Sequence, residues 1–289
     1  PRALFAAFAG VMAFGTYFAM YAFRRPFAVA RFEGLTAFGI DYKVALVIAQ
    51  VLGYALAKLI GVRVIAQWPA RRRIVGIAAQ ILVAEAALVL FALVPRPWNV
   101  AFLFVDGLAL GMVWGMVFGF VEGRRQSDAI GAMLCASFIL SSGVVKAAGA
   151  FVLFNHYANE WWMPALTGLM FAPLLVVCLT GLAALPPPDA QDITERVERV
   201  PMNAAARAAI LRRFAPALAA LVAIYLMLTA LRDLRDNFAA EVWTELGLGD
   251  HADLFALTEI PVSLVVLALL GLVTLIRDNR LALRANLVL

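Results

Sequence analysis

Charged side chains are scarce in this sequence. Asp, Glu, Lys and Arg together supply 15% of its 289 residues, whereas about a quarter is usual for a soluble domain. Hydrophobic residues make up 64%, and apolar runs of about 20 residues recur along the chain. An ordinary soluble fold is therefore excluded, and a polytopic membrane protein is predicted. Because the apolar runs are continuous and do not alternate, they favour helices over a barrel, so we expect an all-α fold.

Histidine and cysteine are almost absent, which excludes most metal and nucleophilic chemistry. His156 and His251 fall in predicted loops, while Cys135 and Cys178 fall in separate apolar segments as small buried hydrophobes. The sequence shows no nucleotide-binding loop, metal-spaced cluster or catalytic triad. We therefore expect no enzyme activity, no metal and no cofactor. The basic linker also contains acidic residues, so no nucleic-acid binding is expected.

Eight apolar segments are long enough to cross a bilayer, because about 20 helical residues rise about 30 Å. They cover residues 3–31, 42–66, 74–94, 98–121, 128–153, 161–185, 212–236 and 254–276. The predicted domains are a six-helix bundle over 1–185, a linker over 186–211 and the start of a second bundle over 212–289. Since the chain lacks an initial methionine and its tail turns apolar again, we expect it to be part of a longer protein.

The distribution of arginine predicts the orientation. Arginines cluster after the even-numbered segments, and the connection 155–162 has no Lys or Arg. The positive-inside rule therefore places the N-terminus and the linker in the cytoplasm, with the chain in the inner (cytoplasmic) membrane. Five arginines follow odd-numbered segments and break this pattern: Arg24, Arg25, Arg31, Arg232 and Arg235.

An internal repeat involves two of these arginines. Tyr17, Tyr21 and Arg24 are spaced i, i+4, i+7 in the first segment, and Tyr225, Thr229 and Arg232 repeat that spacing in the seventh. Transporters are commonly built from repeats, with the substrate between them near the middle of the membrane. A guanidinium offers a planar fork of donors to a phosphate or carboxylate. We predict that Arg24 and Arg232 clamp one anion. The alternative, which we adopt for Arg25 and Arg31, is that the side chains extend to lipid headgroups.

The second segment carries a polar stripe. Gln50, Tyr54 and Lys58 recur every fourth residue, so they share one helical face. A lysine near the bilayer centre costs about 2.5–3.5 kcal/mol on insertion scales, which indicates a partner charge or an anion. Lys146 shares a face with Ser142 in the fifth segment. The predicted substrate-binding residues are Arg24, Tyr21, Tyr54, Lys58, Arg232, Tyr225 and Lys146.

Acidic residues in the apolar segments form a second group of candidates. Asp233 and Asp236 are placed to neutralise nearby arginines, so we predict a charge network of Asp233, Arg235, Asp236 and Glu259. This network is either a gate or a static set of ion pairs. Asp106 and Glu259 are also candidates for pairing the lysines or carrying protons. Asp106 is near the start of its segment, so for this residue we adopt the alternative, a carboxylate at headgroup level.

Glycines recur at every fourth residue of the fourth segment, at positions 107, 111, 115 and 119. A face of small residues lets two helices approach closely. We predict that this face packs against a neighbouring helix.

At these residues the chain resembles the major facilitator superfamily, and within it the organophosphate:phosphate antiporters. The similar stretches are Arg24-Arg25-Pro26-Phe27-Ala28, Tyr54 through Gly61, Gly111 through Trp114, and Tyr225 through Arg232. The resemblance implies a major-facilitator-like bundle. It also implies that Arg24 and Arg232 bind a phosphoryl group, assisted by Lys58 and Tyr54. Ser137 follows Cys135-Ala136 where those antiporters have histidine, which indicates a divergent branch.

The expected function is secondary active transport, in which alternating access moves a small anionic solute, including phosphorylated compounds, across the membrane. One alternative is a proton-coupled transporter of another small solute that uses Asp106 or Glu259. A second alternative is a transport-inactive sensor or scaffold with the same fold. The expected partners are the anionic solute and the lipid bilayer, and we expect a monomer.

Overall fold

The structure is a computed structural model that describes residues 2–65, 68–124, 127–187, 204–249, 251, 253–274, 276, 278, 280, 281 and 284. Helices form nearly all of the regular structure in this part, so the all-α prediction is confirmed. The helices are α1 (Arg2–Arg24), α2 (Tyr42–Val64), α3 (Ala70–Leu93), α4 (Val100–Leu110), α5 (Val113–Phe118), α6 (Ser127–Phe154), α7 (Met163–Ala183), α8 (Ala204–Asn237), α9 (Ala239–Glu245) and α10 (Leu254–Thr274). A 3-10 helix (Pro26–Val29) and the paired two-residue strands β1 (Thr36–Ala37) and β2 (Ile40–Asp41) join α1 to α2.

Most of the long described helices could cross a membrane. Seven described helices are long and apolar enough to cross a membrane: Leu4–Arg24, Tyr42–Gly61, Ala70–Leu93, Val100–Phe118, Ile130–Phe154, Met163–Ala183 and Ala208–Asn237. They correspond to the first seven predicted segments. The eighth corresponds to α10, whose apolar stretch Leu254–Leu269 is shorter. The chain is therefore a multi-pass membrane protein.

Two predicted segments differ from the structure at specific positions. The first ends at Arg24 and does not reach residue 31, because Pro26 starts a buried 3-10 turn in which the missing N–H of proline is tolerated. The fourth is divided into α4 and α5 at Gly111 and Met112, within the glycine-rich stretch whose helix propensity is low. Residues 188–203 of the predicted linker lie outside the described residues, and α8 already begins at Ala204.

The predicted glycine face packs against α2 at Gly107 and Gly111, while Gly119 lies against Arg73 of α3. A Cβ added at Gly107 would lie 2.9 Å from the carbonyl carbon of Gln50, and one at Gly111 would lie 2.8 Å from the carbonyl oxygen of Tyr54. Only glycine permits this approach of α4 to α2. The crossing brings the polar stripe of α2 against α4.

The chain enters α2, α4, α7 and α10 from one end of the bundle, called here the α1–α2 end. An aromatic cluster closes this end, with the ring of Phe32 5.4 Å from Tyr42 and 5.0 Å from Trp161, centroid to centroid. Helix α10 packs along α6. Helix α8 is exposed over most of its length. Among its residues with described side chains, Asp236 and Asn237 are the buried ones, and there the helix reaches the α1–α2 end.

Candidate functional site

Arg24, the last residue of α1, is a buried cation surrounded by aromatic rings. The residue is 8% exposed, and its Cζ lies 3.9 Å from the ring centroid of Tyr54 and 5.9 Å from that of Tyr21. The described residues place no carboxylate oxygen within ion-pair distance of its guanidinium, and its Nε has no hydrogen-bond partner there. Ring faces attract a cation but do not neutralise its charge. Arg24 therefore has donors available for an anion.

The Arg24 guanidinium lies deep in the bundle. Its partner Tyr54 follows the first residue of α2, Tyr42, by 12 positions in a 23-residue helix. At 1.5 Å per residue this is about 18 Å along α2, close to its midpoint. This is the depth at which transporters place their substrates.

Lys58 brings a second cation to the same ring. Its Nζ lies 4.7 Å from the centroid of Tyr54, and the residue is exposed. Arg24 and Lys58 thus both lie near the ring of Tyr54. The structure places four of the predicted substrate-binding residues together: Arg24, Tyr21, Tyr54 and Lys58. This set is called the Arg24 cluster below.

Gln50 connects the backbone of Arg24 to a buried acid. Its Nε2 donates one hydrogen bond to the Arg24 carbonyl oxygen, at 3.0 Å, and one to Oδ2 of Asp106, at 2.7 Å. Asp106 is fully buried, so the interpretation of it as a headgroup-level carboxylate is wrong. The reason is that the α2–α4 crossing at Gly107 holds α4 directly against Gln50.

Arg25 occupies a different environment from its neighbour. Its Nη2 lies 3.1 Å from Oδ2 of Asp236 and 3.8 Å from Oδ1 of Asp233, and its Nη1 donates to Oδ1 of Asn237 at 3.2 Å. The residue is buried, so the interpretation of Arg25 as extending to headgroups is wrong. The chain turns inward after α1 at Pro26, and this turn directs Arg25 towards α8.

Lys146 belongs with Arg25 and not with the Arg24 cluster. Its Nζ lies 2.8 Å from Oδ1 of Asp236, and Ser142 Oγ donates to the same oxygen at 3.0 Å. Asp236 therefore compensates two buried cations, Arg25 directly after α1 and Lys146 of α6. These contacts join the first six spans to the end of α8.

Two further ion pairs lie near the α1–α2 end. Arg235 Nη2 is 2.7 Å from Oε1 of Glu259, which joins two predicted network residues beside a cavity of about 220 Å³. Lys43, which the sequence reasoning missed, is buried, and its Nζ lies 2.8 Å from the Ala28 carbonyl oxygen and 2.5 Å from Oε1 of Glu241. A lysine one residue into a span is typical of an interface. Its partners, Ala28 in the buried 3-10 helix and the distant Glu241, are seen only in the structure.

The second arginine of the repeat lies apart from the Arg24 cluster. Arg232 is exposed on α8, with its Nη2 3.2 Å from Asp233, and Tyr225 is 63% exposed. The described contacts join neither residue to Arg24. The clamp of Arg24 and Arg232 is not formed in this structure and stays a prediction.

The described residues contain no group of three His, Cys, Asp or Glu side chains placed to hold a metal ion. In sequence, residues 26–289 match a family of unknown function (DUF5690). No curated protein and no solved structure matches the chain. The matched region contains Lys58, Asp106, Lys146 and Asp236, and it begins two residues after Arg24.

Proposed function

This chain belongs to the DUF5690 family of unknown function, and we propose that it is a secondary transporter of a small anionic solute. The observation that supports this most directly is the contrast between adjacent arginines. Arg25 is neutralised by Asp236 and Asp233. Arg24 is just as buried but has aromatic rings for neighbours. The difference leaves one buried cation available to a solute.

The energetics favour a ligand for Arg24. A buried charge without a counterion is costly, and natural chains keep such charges inside a membrane mainly where they serve a function. A guanidinium binds phosphate or carboxylate through two parallel hydrogen bonds. The rings of Tyr54 and Tyr21 lie beside the guanidinium, and Lys58 adds a second positive charge near the ring of Tyr54. We therefore assign phosphorylated or carboxylated solutes to the Arg24 cluster.

The ion pairs at the α1–α2 end support alternating access in a major-facilitator-like architecture. Asp236 and Glu241 link the second half to Arg25, Lys146 and Lys43 of the first. The rest of α8 makes few contacts with the first half. We propose that these pairs close one end of the transporter and separate when the other end closes. In the proposed orientation, with the N-terminus in the cytoplasm of the inner membrane, the closed end is the outer one. Arg232 would join the site during this exchange.

A transport-inactive scaffold is the competing function, and one observation favours it. Most buried cations at the α1–α2 end are already paired within the chain, as expected for a static network. The two functions differ at Arg24, because a scaffold has no ligand there.

Ligand-induced stabilisation of the purified protein distinguishes the transporter from the scaffold. A solute that binds the native state raises the unfolding temperature of the protein. A panel of inorganic phosphate, sugar phosphates and dicarboxylates should contain at least one anion that stabilises the wild type but not Arg24→Gln. Neutral sugars of matched size should have no effect. A panel without any effect on the wild type, or equal stabilisation of the folded variant, would favour the scaffold.

A further inference from the structure

We propose that Asp106 is a proton-binding site coupled to the Arg24 cluster through Gln50, so that the anion binds together with a proton. The inference rests on the proposed function, and it assigns the coupling ion. The sequence suggests two acids for carrying protons, Asp106 and Glu259, and the inference selects Asp106.

Asp106 is a carboxyl group held away from any counterion. Oδ2 accepts the hydrogen bond from Gln50, while Oδ1 is buried and makes no hydrogen bond to the described residues. No ion pair to Asp106 is present in the described part of the chain. An ionised carboxylate in such a place is unfavourable, whereas a proton removes the buried charge. Oδ1 can accept that proton without breaking a described contact.

Glu259, in contrast to Asp106, has a counterion. Its Oε1 lies 2.7 Å from Nη2 of Arg235, which stabilises the ionised form. The other acids of the network, Asp236 and Glu241, also pair with cations. Glu85 on α3 resembles Asp106 in one respect, because neither of its oxygens has a hydrogen-bond partner among the described residues. It lies against Gly168 of α7, however, and makes no hydrogen bond to the Arg24 cluster among the described residues.

The surroundings of Asp106 determine the direction of the coupling. Three helices pack on α4 near this carboxyl. Two of them contribute charged groups that act on it, Arg24 from α1 and Glu85 from α3. The third, α2, contributes the neutral Gln50. Ionised Asp106 partly compensates Arg24 and weakens the attraction for an anion. A bound anion in turn opposes ionisation of Asp106. By linkage, anion binding and proton binding then favour each other.

Gln50 adds a mechanical connection. One amide nitrogen donates both to Asp106 and to the backbone carbonyl at the end of α1. Ionisation strengthens the hydrogen bond to the carboxylate, because charged acceptors bind more strongly than neutral ones. The position of the Arg24 carbonyl therefore depends on the charge of Asp106.

Sulfate is a suitable probe because its charge stays constant between about pH 5.5 and about pH 8.5, a range that covers strongly perturbed carboxyl groups. Titration calorimetry of the wild type should show affinity falling by up to about tenfold per pH unit as the carboxyl ionises. Titrations in buffers of different ionisation enthalpy should show net proton uptake on binding. Asp106→Asn, which is neutral at every pH, should bind with the low-pH affinity throughout and take up no proton. Glu85→Gln is the matched control and should keep the pH dependence.

Each other result overturns the inference in a distinct way. Sulfate binding by the wild type without pH dependence or proton uptake removes Asp106 as a proton site and leaves the proposed function in place. Loss of the dependence in Glu85→Gln, with retention in Asp106→Asn, transfers the role to Glu85. If the wild type binds no sulfate at any pH, and no anion of the phosphate, sugar phosphate and dicarboxylate panel stabilises it, the proposed function fails together with the inference.

Discussion

The guanidinium carbon of Arg24 lies 3.9 Å from the ring centroid of Tyr54. This contact joins the end of α1 to the middle of α2 and holds a buried positive charge near the centre of the bundle. The adjacent Arg25 is directed away from it and pairs with Asp236 on α8. Arg25 thus links the two halves of the chain, while Arg24 has no carboxylate partner among the described residues.

Removal of the charge on Asp236 should destabilise the protein strongly. Its side chain is 7% exposed and compensates both Arg25 and Lys146, so Asp236→Asn leaves two buried cations without their main partner. Loss of one partner from a buried ion pair costs about 3–5 kcal/mol. Equilibrium unfolding in mixed micelles measures the difference.

Asp233→Asn is the matched control, because Asp233 is 27% exposed and lies 3.8 Å from Arg25. It should cost less than about 1 kcal/mol, as expected for a partly exposed pair. Equal losses in the two variants would mean that Asp236 is not the centre of the network.

Close packing of α2 and α4 predicts a steric effect at Gly107. In Gly107→Ala the new methyl group meets the backbone of Gln50, with its carbonyl carbon at 2.9 Å, and the backbone has little freedom to move. We expect a loss of about 1–3 kcal/mol in the free energy of unfolding. Gly131→Ala in α6 is the control, because a Cβ there would lie 3.6 Å from its nearest described neighbour, on the ring of Phe118, which is an ordinary contact distance, and the change should be neutral or stabilising. Similar effects at both positions would contradict the crossing.

The sequence predicted the spans well because apolar length determines them directly. The predicted substrate-binding set also contained Arg24, Tyr21, Tyr54 and Lys58, which the structure brings together. Helical spacing places each pair on one face of its own helix, and only the family resemblance connected the two helices. The sequence reasoning misplaced Arg25 and overlooked Lys43, because their partners depend on the turn after Pro26 and on residues about 200 positions away. Asp106 was assigned to the interface, because its burial results from the crossing of α4 with α2, and spacing along one segment does not show which helix covers it.

Lys58 should affect anion binding without supporting the fold. It is exposed and contacts only the ring of Tyr54 among the described interactions. Lys58→Gln should therefore leave the unfolding temperature within error of the wild type. The affinity for inorganic phosphate should fall by about 1.5–3 kcal/mol, the usual contribution of a charged hydrogen bond. Unchanged affinity in the folded variant would remove Lys58 from the site.

The orientation is tested by labelling single cysteines in a background where Cys135 and Cys178 are replaced by alanine. Tyr157 is exposed in the connection between α6 and α7, and Tyr157→Cys should react with a membrane-impermeant maleimide in intact cells. Asp192→Cys, in the linker outside the described residues, should react only after the membrane is permeabilised. The reverse result would invert the proposed topology.

The affinity of the Arg24→Gln protein for inorganic phosphate tests the central claim most directly. Arg72→Gln serves as the control, because it removes the same charge from an exposed position at the start of α3. Isothermal titration should show binding weakened by about 10- to 150-fold in Arg24→Gln, which corresponds to about 1.5–3 kcal/mol, with little change in Arg72→Gln. Wild-type affinity in a folded Arg24→Gln protein would contradict the assignment of Arg24 to the anion.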